Sequence, residues 1–490
     1  MNGRCATLAR VSDDQSPSRR GDAAEPFFTP DDVAAATGGR LLARSNRPIR
    51  GAAVDSRAVK PGELFVALPG ERTDGHDFLD AAAAAGAACL LVTRPPNDVA
   101  PLGDVSIVRV ADALAALQAL ATTWRARFDP LVVAVSGSIA KTSTKEAVAG
   151  VLGHRLTTLR NEGNLNNEIG LPLTVLRLGP EHRAAVLEMG MYVGGEIRDL
   201  AAIARPEIGV VTAVQAVHLS RIGTLEAIEQ AKGELVEALP GDGTAVLNDD
   251  DERVRRMAAR TRARSVTYGF ADDADVRAEG VESAGVDGMQ FTIRTASGRR
   301  PAIIPTLGRL SVHNALAAAA VGLAAGLTLD DVVEALATGW SAPHRGQLVR
   351  LGDVTVVDDS YNASPGSVAA ALELLGGLPG RRIAVLGEML ELGDAHESGH
   401  RAVGDAAARV ADVVVVIGRR ASGIADGARS AGLDGARVIE VADRDEALDA
   451  LRPRLRGGDV VLVKASRGIA LDVLVDRLAD ELGAAGTPGR

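Results

Sequence analysis

The chain has 490 residues, of which 46% are hydrophobic and 24% charged, a composition typical of a folded protein with about three domains of roughly 150 residues. Its formal net charge of −10 argues against a nucleic-acid partner, because phosphate backbones are bound by clustered lysine and arginine. Aromatic residues make up only 2%, which argues against a nucleobase-stacking platform of the single-strand-binding kind, and the sequence has no apolar run of about 18 residues that would predict membrane insertion.

The first 25 residues and the two cysteines provide information about the cellular compartment of the protein. Residues 1–25 lack the apolar segment of a signal peptide, and we interpret them as a disordered tail, with a misassigned start as the alternative. Cys5 and Cys89 have no neighbour at metal-ligand spacing and cannot form a disulfide framework. This cysteine usage favours a reducing compartment.

Residues 26–110 are predicted to form a first α/β domain from short strands and alanine-rich helices, such as DFLDAAAAAGAACLLVT (77–93). The segment DALAALQALATTWRARF (112–128) then predicts a helix that ends at Asp129-Pro130. Proline directly before a new strand marks a domain boundary. We therefore assign residues 111–130 to a connecting helix and linker.

Residues 131–345 alternate strand and helix patterns, which predicts a parallel sheet with crossover helices. Its apolar, strand-like segments are LVVAVSG (131–137), RAAVLEMG (183–190) and IGVVTAV (208–214). A second alternating series over residues 346–490 predicts a separate doubly wound, Rossmann-like sheet. No GxGxxG turn follows its first strand, so a dinucleotide cofactor is not indicated.

The segment LVVAVSGSIAKTSTKE (131–146) is close to a phosphate-binding loop, but Ala140 stands where the usual pattern has glycine before the lysine. Such a loop presents backbone N–H groups and a helix N-terminus to phosphate. Lys141 would reach the outer phosphates and the Thr142 hydroxyl would contact magnesium. The alternative is an ordinary Gly-Ser turn before a helix. We predict a negative φ at Ala140, because every charged partner of the loop is retained.

Polar residues also follow the neighbouring strands. The segment NEGNLNNEIGLPLTVL (161–176) places four asparagines within seven residues, and caps and turns alone would explain two of them. Glu188 ends an apolar strand at the edge where parallel sheets hold ligands, and His218 follows the next one. The alternatives are a surface carboxylate and a structural or exposed histidine. Both residues are candidate metal ligands.

Lys232 lies on the apolar face of a predicted helix, seven residues after Leu225 and three before Leu235. A lysine on a buried stripe must extend to solvent, pair with a carboxylate or lose its positive charge. The spacing by itself leaves these three alternatives open.

Two further polar clusters flank this central block. The segment beginning DSRAVKPGELFVAL at residue 55 contains Ser56 and Arg57, and it could be only a polar edge. The segment VVDDSYNASPGS (356–367) ends a strand with two aspartates, an arrangement suited to holding a ribose hydroxyl.

Together these segments resemble the Mur ligase family from about Phe27 to Leu482. The most specific of them are DSRAVKPGELFVAL, DGHDF, NEGNLNNEIGLPLTVL, EMGMYVGGEI, DDSYNASPGSVAAAL and GEMLELGDAHESGH. The resemblance implies an N-terminal uridine-nucleotide domain, a central P-loop ATPase-like domain and a C-terminal Rossmann-like domain that closes over ATP. We expect a cytoplasmic monomer without membrane insertion.

The resemblance implies an ATP-dependent peptide ligase that adds D-alanyl-D-alanine to UDP-N-acetylmuramoyl-tripeptide through an acyl phosphate, with two magnesium ions. One rival interpretation is a ligase for a different amine. Another is a non-catalytic, nucleotide-binding scaffold.

The same resemblance implies the roles of individual residues. Those with catalytic roles are Lys141, Lys232, His218 and Arg345. Those that bind the nucleotide are Gly137, Ser138, Ala140, Lys141, Thr142, Ser143, Asn314 and Asp359. Those that bind the other substrates are Ser56, Arg57, Asn164, Asn167, Asn362, Lys464, Ser466 and Arg467. The magnesium ligands are Thr142, Glu188, His218 and Lys232, the last as a carbamate.

Two stretches besides the loop depart from the family pattern. In GRLSVHNAL (308–316), Leu310 and Ser311 replace histidine and asparagine, whereas Asn314 keeps its place. In KASR (464–467), Ala465 replaces glycine. These changes affect the expected adenine contact and the geometry of a substrate loop.

Overall fold

Three β-sheets organise the computed structural model, which describes residues 27–70, 73–215 and 222–484. Each sheet combines parallel strands with an antiparallel edge, and helices cover the faces. The predicted α/β class is therefore confirmed. None of the described helices combines the length and the apolarity that crossing a bilayer requires.

The first sheet has five strands in the order β1-β5-β4-β3-β2, and only β1 runs antiparallel to its neighbour. Its strands are β1 (Arg40–Ala43), β2 (Ala52–Ala53), β3 (Leu64–Val66), β4 (Cys89–Val92) and β5 (Ser106–Arg109). Helices α1 (Pro30–Thr37) and α2 (Leu79–Ala84) accompany it.

Helix α3 (Ala113–Arg125) joins the first sheet to the second. The Asp112 carboxylate accepts the N–H groups of Leu114 and Ala115, which caps the helix where the sequence predicts its start. The buried face of α3 packs in one continuous apolar core with side chains from both sheets. Representative members of that core are Phe28, Leu64, Leu117, Trp124, Leu171 and Leu187.

The second sheet has nine strands in the order β14-β13-β12-β11-β10-β9-β6-β8-β7. Its strands are β6 (Leu131–Ser136), β7 (Thr158–Arg160), β8 (Ala184–Glu188), β9 (Ile208–Val211), β10 (Thr244–Asn248), β11 (Arg264–Gly269), β12 (Val276–Ser283), β13 (Met289–Thr295) and β14 (Gly298–Ile304). Strand β6 is buried along its whole length, as a central parallel strand covered on both faces must be.

Helices cover this central sheet. They are α4 (Lys141–Gly153), α5 (Gly170–Val175), α6 (Glu196–Ala204), α7 (Leu225–Glu237), α8 (Glu252–Arg255), α9 (Arg309–Ala324) and α10 (Leu329–Ala337). Strands β12, β13 and β14 pair antiparallel with one another, an extension that the strand and helix alternation did not predict. A short hairpin connection leaves no room for the crossover helix that a parallel pair requires.

The third sheet has six strands in the order β15-β16-β20-β17-β18-β19, and only β15 is antiparallel to its neighbour. Its strands are β15 (Gln347–Leu351), β16 (Val354–Asp358), β17 (Arg381–Gly387), β18 (Val413–Ile417), β19 (Val438–Val441) and β20 (Asp459–Lys464). Its helices are α11 (Pro365–Gly376), α12 (His396–Ala408), α13 (Ser422–Ser430), α14 (Arg444–Leu451) and α15 (Asp472–Ala484).

Candidate active site

A cleft of about 780 Å³ lies between the central sheet and the C-terminal sheet, at the carboxyl ends of β6, β8, β16 and β20. Most of the site residues expected from the sequence line it. They are Gly137, Ser138, Ala140, Lys141, Thr142, Ser143, Asn164, Asn167, Glu188, Lys232, Asn314, Arg345, Asp359, Asn362, Lys464, Ser466 and Arg467. Ser56 and Arg57 do not line the cleft, and His218 lies outside the described residues.

The loop between β6 and α4 needs a glycine at its first position. Gly137 has φ 146°, and a β-carbon there would overlap the hydroxyl group of Thr212. The Ser138 hydroxyl donates to the Gln215 carbonyl oxygen and accepts the Gln215 N–H. The Ser138 side chain therefore fastens the loop to the segment after β9. The backbone of the loop is left facing the cleft.

Ala140 has φ 63° and ψ 1°, so the negative φ predicted for it is wrong. Its carbonyl oxygen accepts the Thr144 N–H as α4 begins, and the chain reaches that first turn from the loop through a left-handed residue. The retention of the loop's charged partners therefore does not predict the sign of this angle. The methyl group costs about 1–2 kcal/mol in this conformation.

Lys141 and Thr142 begin α4 at the floor of the cleft. The Lys141 ammonium group donates to the carbonyl oxygens of Gly137, at 2.9 Å, and Ser138. Burial lowers the pKa of Lys141, and the Glu188 carboxylate opposes that shift. The Thr142 hydroxyl donates to Glu188 Oε2 at 2.8 Å, so the loop and the end of β8 meet directly.

Glu188 is 2% exposed, which excludes the surface-carboxylate alternative. Its second oxygen, Oε1, accepts Asn166 Nδ2 at 2.7 Å. Asn166 and Thr142 therefore hold the carboxylate from two sides and aim it at the phosphate loop.

Lys232 is 2% exposed on α7, so its amine does not extend to solvent. Burial lowers the pKa of Lys232 well below its usual value, and the nearby Lys141 lowers it further. The Glu188 carboxylate pulls the pKa the other way. A neutral amine is the form that this environment favours.

The asparagine segment contains both structural and cleft-lining residues. Asn167 Oδ1 accepts the Gly170 N–H at 2.9 Å, a contact that supports the start of α5. Asn161 is fully buried, and its side chain bonds to Leu165 and Glu188. A helix-start contact thus accounts for Asn167, which also lines the cleft with Asn164 and Asn166, whereas Asn161 ties the segment to the end of β8.

Asn314 lies near the start of α9, where its Oδ1 accepts the Thr144 hydroxyl at 3.0 Å. The substituted residues nearby are accommodated locally. Ser311 donates its hydroxyl to the Leu307 carbonyl oxygen, and Leu310 lines the cleft wall. The methyl group of Ala465 points toward Gly387, where the absent side chain leaves room for it.

On the opposite wall, Lys464 Nζ lies 2.5 Å from Asp359 Oδ2 and donates to the Asn362 carbonyl oxygen at 2.9 Å. Burial raises the pKa of Asp359, and the Lys464 ammonium group opposes this shift. Lys464 is 3% exposed, so it ties the ends of β16 and β20 together within the domain.

Ser466 connects three loops of this wall. Its Oγ accepts the Leu390 N–H at 2.9 Å and donates to the Ala363 carbonyl oxygen at 3.4 Å. Its own N–H donates to the Glu388 carbonyl oxygen. The adjoining loop carries Glu391 at φ 63° into the cleft lining.

Tyr361 lies between two arginines at the cleft. The Arg345 guanidinium is 4.1 Å from the centre of its ring, and that of Arg467 is 5.3 Å away. Arg467 also pairs with Asp472 at 2.7 Å. Two guanidinium cations therefore lie at the cleft, and both contact the Tyr361 ring.

Ser56 and Arg57 lie in a short 3₁₀ turn of the N-terminal domain. Arg57 is largely exposed and pairs with Asp55 at 2.6 Å. Its side chain lowers the pKa of Asp55 to about 2. The pair is therefore a separate charged feature outside the cleft.

Sequence reasoning missed Asn166 and Tyr361 as site residues. Asn166 stands among the four asparagines, but no spacing distinguishes it from its neighbours. Tyr361 is flanked by Ser360 and Asn362, and its aromatic ring in the otherwise polar segment after β16 is the signal that could have found it.

A phosphate loop at the end of a parallel strand, facing a Rossmann-like sheet across a cleft, defines an α/β enzyme that binds a nucleotide. Comparisons with known families agree with that class. Residues 48–125 match the Mur ligase family catalytic domain, residues 135–322 the Mur ligase middle domain, and residues 344–467 the Mur ligase, glutamate ligase domain.

Individual relatives extend over most of the chain. The UDP-N-acetylmuramoyl-tripeptide--D-alanyl-D-alanine ligase of Escherichia coli K12 is 37% identical over 433 residues, which are 87% of this chain and 93% of the relative. A crystal structure of MurF from Acinetobacter baumannii superposes with a TM-score of 0.84 at 28% identity, covering 93% and 99% of the two chains. MurF ligase from Thermotoga maritima, in complex with ADP, gives 0.78 at 28% identity, covering 89% and 99%. This chain belongs to the Mur ligase family.

Proposed function

We propose that this protein is an ATP-dependent ligase that joins D-alanyl-D-alanine to UDP-N-acetylmuramoyl-tripeptide. The relative from E. coli carries that substrate pair in its name, and it matches 87% of this chain. The observation that carries the proposal is the cleft, in which the phosphate loop, Glu188 and Lys232 form one wall and Asp359 and Arg345 approach from the other.

The first step activates the carboxylate of the tripeptide by converting it into an acyl phosphate. A carboxylate oxygen of the tripeptide attacks the γ-phosphorus of ATP, the bond to the bridging oxygen breaks, and ADP leaves with the electron pair. The Lys141 ammonium group and the N–H groups of the loop stabilise the negative charge that gathers on the phosphoryl oxygens. Arg345 supplies a second cation from the opposite wall.

The second step forms the amide. The free amine of D-alanyl-D-alanine attacks the carbonyl carbon of the acyl phosphate, phosphate leaves with the electron pair of the broken C–O bond, and the proton lost from the amine nitrogen passes to that phosphate. Positioning of the two reactants supplies much of the acceleration, because the acyl phosphate already has a good leaving group. No protein nucleophile takes part.

Glu188 and Thr142 fit the requirements of magnesium. Their oxygens lie 2.8 Å apart, and carboxylate and hydroxyl oxygens are ligands that this hard cation accepts. Among the described residues no group of three or more His, Cys, Asp or Glu side chains could hold a metal. Magnesium would neutralise phosphate charge there, and we propose two such ions.

Lys232 is proposed to carry a carbamate. Carbon dioxide reacts with a neutral amine, and burial lowers the pKa of Lys232 well below its usual value, which favours that form. The resulting anion would offer two oxygens to a cation at the wall formed by Lys141 and Glu188. We further propose His218 as a ligand there.

The remaining assignments concern the substrates and the domain limits. Asp359 is proposed to bind the ribose, Asn314 the adenine, and Ser56 and Arg57 the uridine diphosphate. Residues 26–110, 131–345 and 346–490 are proposed as the three domains, and the enzyme is proposed to act in the cytoplasm.

Release of ADP from the purified protein tests the function. With UDP-N-acetylmuramoyl-tripeptide present, we expect ADP release to require D-alanyl-D-alanine and to yield the pentapeptide product by mass spectrometry. Lys141→Met is the inactive control, because it removes the cation of the loop and keeps a side chain of similar length.

Two outcomes would contradict the proposal. Tight nucleotide binding without dipeptide-dependent turnover would favour the non-catalytic scaffold. Turnover with another amine but not with D-alanyl-D-alanine would favour a ligase of different specificity. Parallel assays with the meso-diaminopimelate and lysine tripeptides would define the third peptide residue.

A further inference from the structure

Lys145 is a buried cation that the proposed chemistry does not use. It lies one turn after Lys141 on α4, and its side chain is 1% exposed. Its Nζ donates to the Asn161 carbonyl oxygen at 2.5 Å and lies 2.7 Å from Glu146 Oε1. Burying a lysine is costly unless its charge is paired and its donors are satisfied, so these contacts must offset a large desolvation term.

Asn161 is the residue through which this cation reaches the site. Asn161 is fully buried, and its Oδ1 accepts the Glu188 N–H at 2.9 Å. Its Nδ2 donates to the carbonyl oxygens of Leu165, at 2.8 Å, and Glu188, at 3.2 Å. The backbone of Asn161 is thus bonded to Lys145 while its side chain holds both backbone polar groups of Glu188.

The same helix also holds the side chain of Glu188. Thr142 lies three residues before Lys145, so both project from one side of α4. Thr142 donates to the Glu188 carboxylate directly, and Lys145 acts on the Glu188 backbone through Asn161. These bonds close a ring that joins α4, the asparagine segment and the end of β8.

We propose that Lys145 is a positioning residue that fixes residues 161–167 and the backbone of Glu188 against the helix that follows the phosphate loop. The asparagine segment includes Asn164 and Asn166, which line the cleft. Lys145 therefore links the nucleotide side of the cleft to the segment that faces the other substrate. The importance of this link for turnover rests on the function proposed above, whereas the physical contact does not.

Hydrogen exchange measured by mass spectrometry tests the contact without any assay of activity. In Lys145→Met, we expect exchange in peptides covering residues 161–167 and 186–190 to become about tenfold faster, the loss expected for one hydrogen bond to a charged group. Titration with UDP-N-acetylmuramoyl-tripeptide, without ATP, should show an affinity about tenfold weaker. Exchange in the C-terminal sheet should not change.

Arg160→Met is the matched control. Arg160 pairs with the same Glu146, at 2.7 Å, but is half-exposed and has no part in the bond between Lys145 and Asn161. It should leave both readouts within about twofold of the wild type, because the arginine is half-exposed and Glu146 stays paired with Lys145 after its removal. Lys145→Gln, which retains a donor, replaces Lys145→Met if the latter does not fold, and it should show a smaller change of the same kind.

The outcomes separate this proposal from the proposed function. Unchanged exchange over residues 161–167 in the folded Lys145 variant would overturn it, as would an equal effect from Arg160→Met. If the wild-type protein lacks ligase turnover but Lys145→Met still exchanges faster over residues 161–167, the result supports the contact and contradicts only the proposed function.

Discussion

The two junctions of the molecule are built in opposite ways. Helix α3 shares one apolar core with the N-terminal and central sheets, and Trp124 anchors it by packing on Phe28 at 4.6 Å and donating to the Leu178 carbonyl oxygen. The central and C-terminal sheets instead face each other across the cleft, and among the described residues Leu307 and Val286 of the central domain pack with the C-terminal core. We expect the first junction to unfold as a unit and the second to open and close.

The largest effect is expected from breaking the apolar junction. Trp124→Ala should lower the free energy of unfolding of the N-terminal and central domains by about 3–5 kcal/mol, because it removes a buried aromatic side chain from their shared core. Denaturant unfolding followed by circular dichroism measures this. Leu374→Ala at the partly open cleft is the control and should cost only about 1 kcal/mol. Equal losses at the two positions would mean that the junctions do not differ.

The second effect is confined to the cleft. Lys232→Ala should lower kcat by about a hundredfold or more, the size typical of removing a group that stabilises charge in the transition state. Short carboxylic acids added to the assay should restore part of the rate by supplying the missing anion. Thermal unfolding serves as the check on folding. Full activity in Lys232→Ala would rule out the carbamate.

Acid should weaken the C-terminal domain, on one side of the cleft, through the buried His400 of α12. His400 Nε2 accepts the Met389 N–H at 3.0 Å, which requires a neutral ring, and burial lowers the pKa of His400. His396, Glu388 and Glu397 are the charged or titratable groups near the ring. Because the unfolded chain protonates first, near pH 6.5, the stability from His400 is complete above that pH and declines below it, toward the lower folded pKa.

Unfolding measured from pH 7.5 to 5.5 tests this sign. The slope due to His400 should approach, at most, about 1.4 kcal/mol per pH unit. In His400→Gln, whose amide oxygen can still accept the Met389 N–H, that part of the slope should disappear. An identical slope in the two proteins would place the acid sensitivity elsewhere.

The smallest effect concerns the loop itself. Ala140→Gly should raise the free energy of unfolding by about 0.5 kcal/mol, because it relieves about 1–2 kcal/mol of left-handed strain but loses about 0.4–1 kcal/mol to the greater entropy of glycine in the unfolded chain. Ala238, exposed at φ −78°, gives the control, and Ala238→Gly should be destabilising. A loss of stability in Ala140→Gly would show that the loop does not bear this strain.

Sequence patterns predicted part of this site, because strand ends and helix faces can be recognised from local residue spacing. Glu188 and Lys141 follow parallel strands whose carboxyl ends meet at one edge, and the spacing of Lys232 placed it on a buried stripe. Such regularities need no knowledge of distant contacts. The contacts of Asn166 with Glu188 and of Lys464 with Asp359 could not be predicted, because the partners lie 22 and 105 residues apart in the chain.

The sequence by itself determined the α/β class and the phosphate loop, since local periodicity and motif spacing carry that information, and its resemblance to the Mur ligase family implied most of the residues that line the cleft. Only the tertiary structure decided the left-handed backbone of Ala140, the antiparallel extension of the central sheet and the ring of bonds that joins Lys145 to Glu188. Each of these depends on groups that come together only when separate elements pack, so no local pattern specifies them.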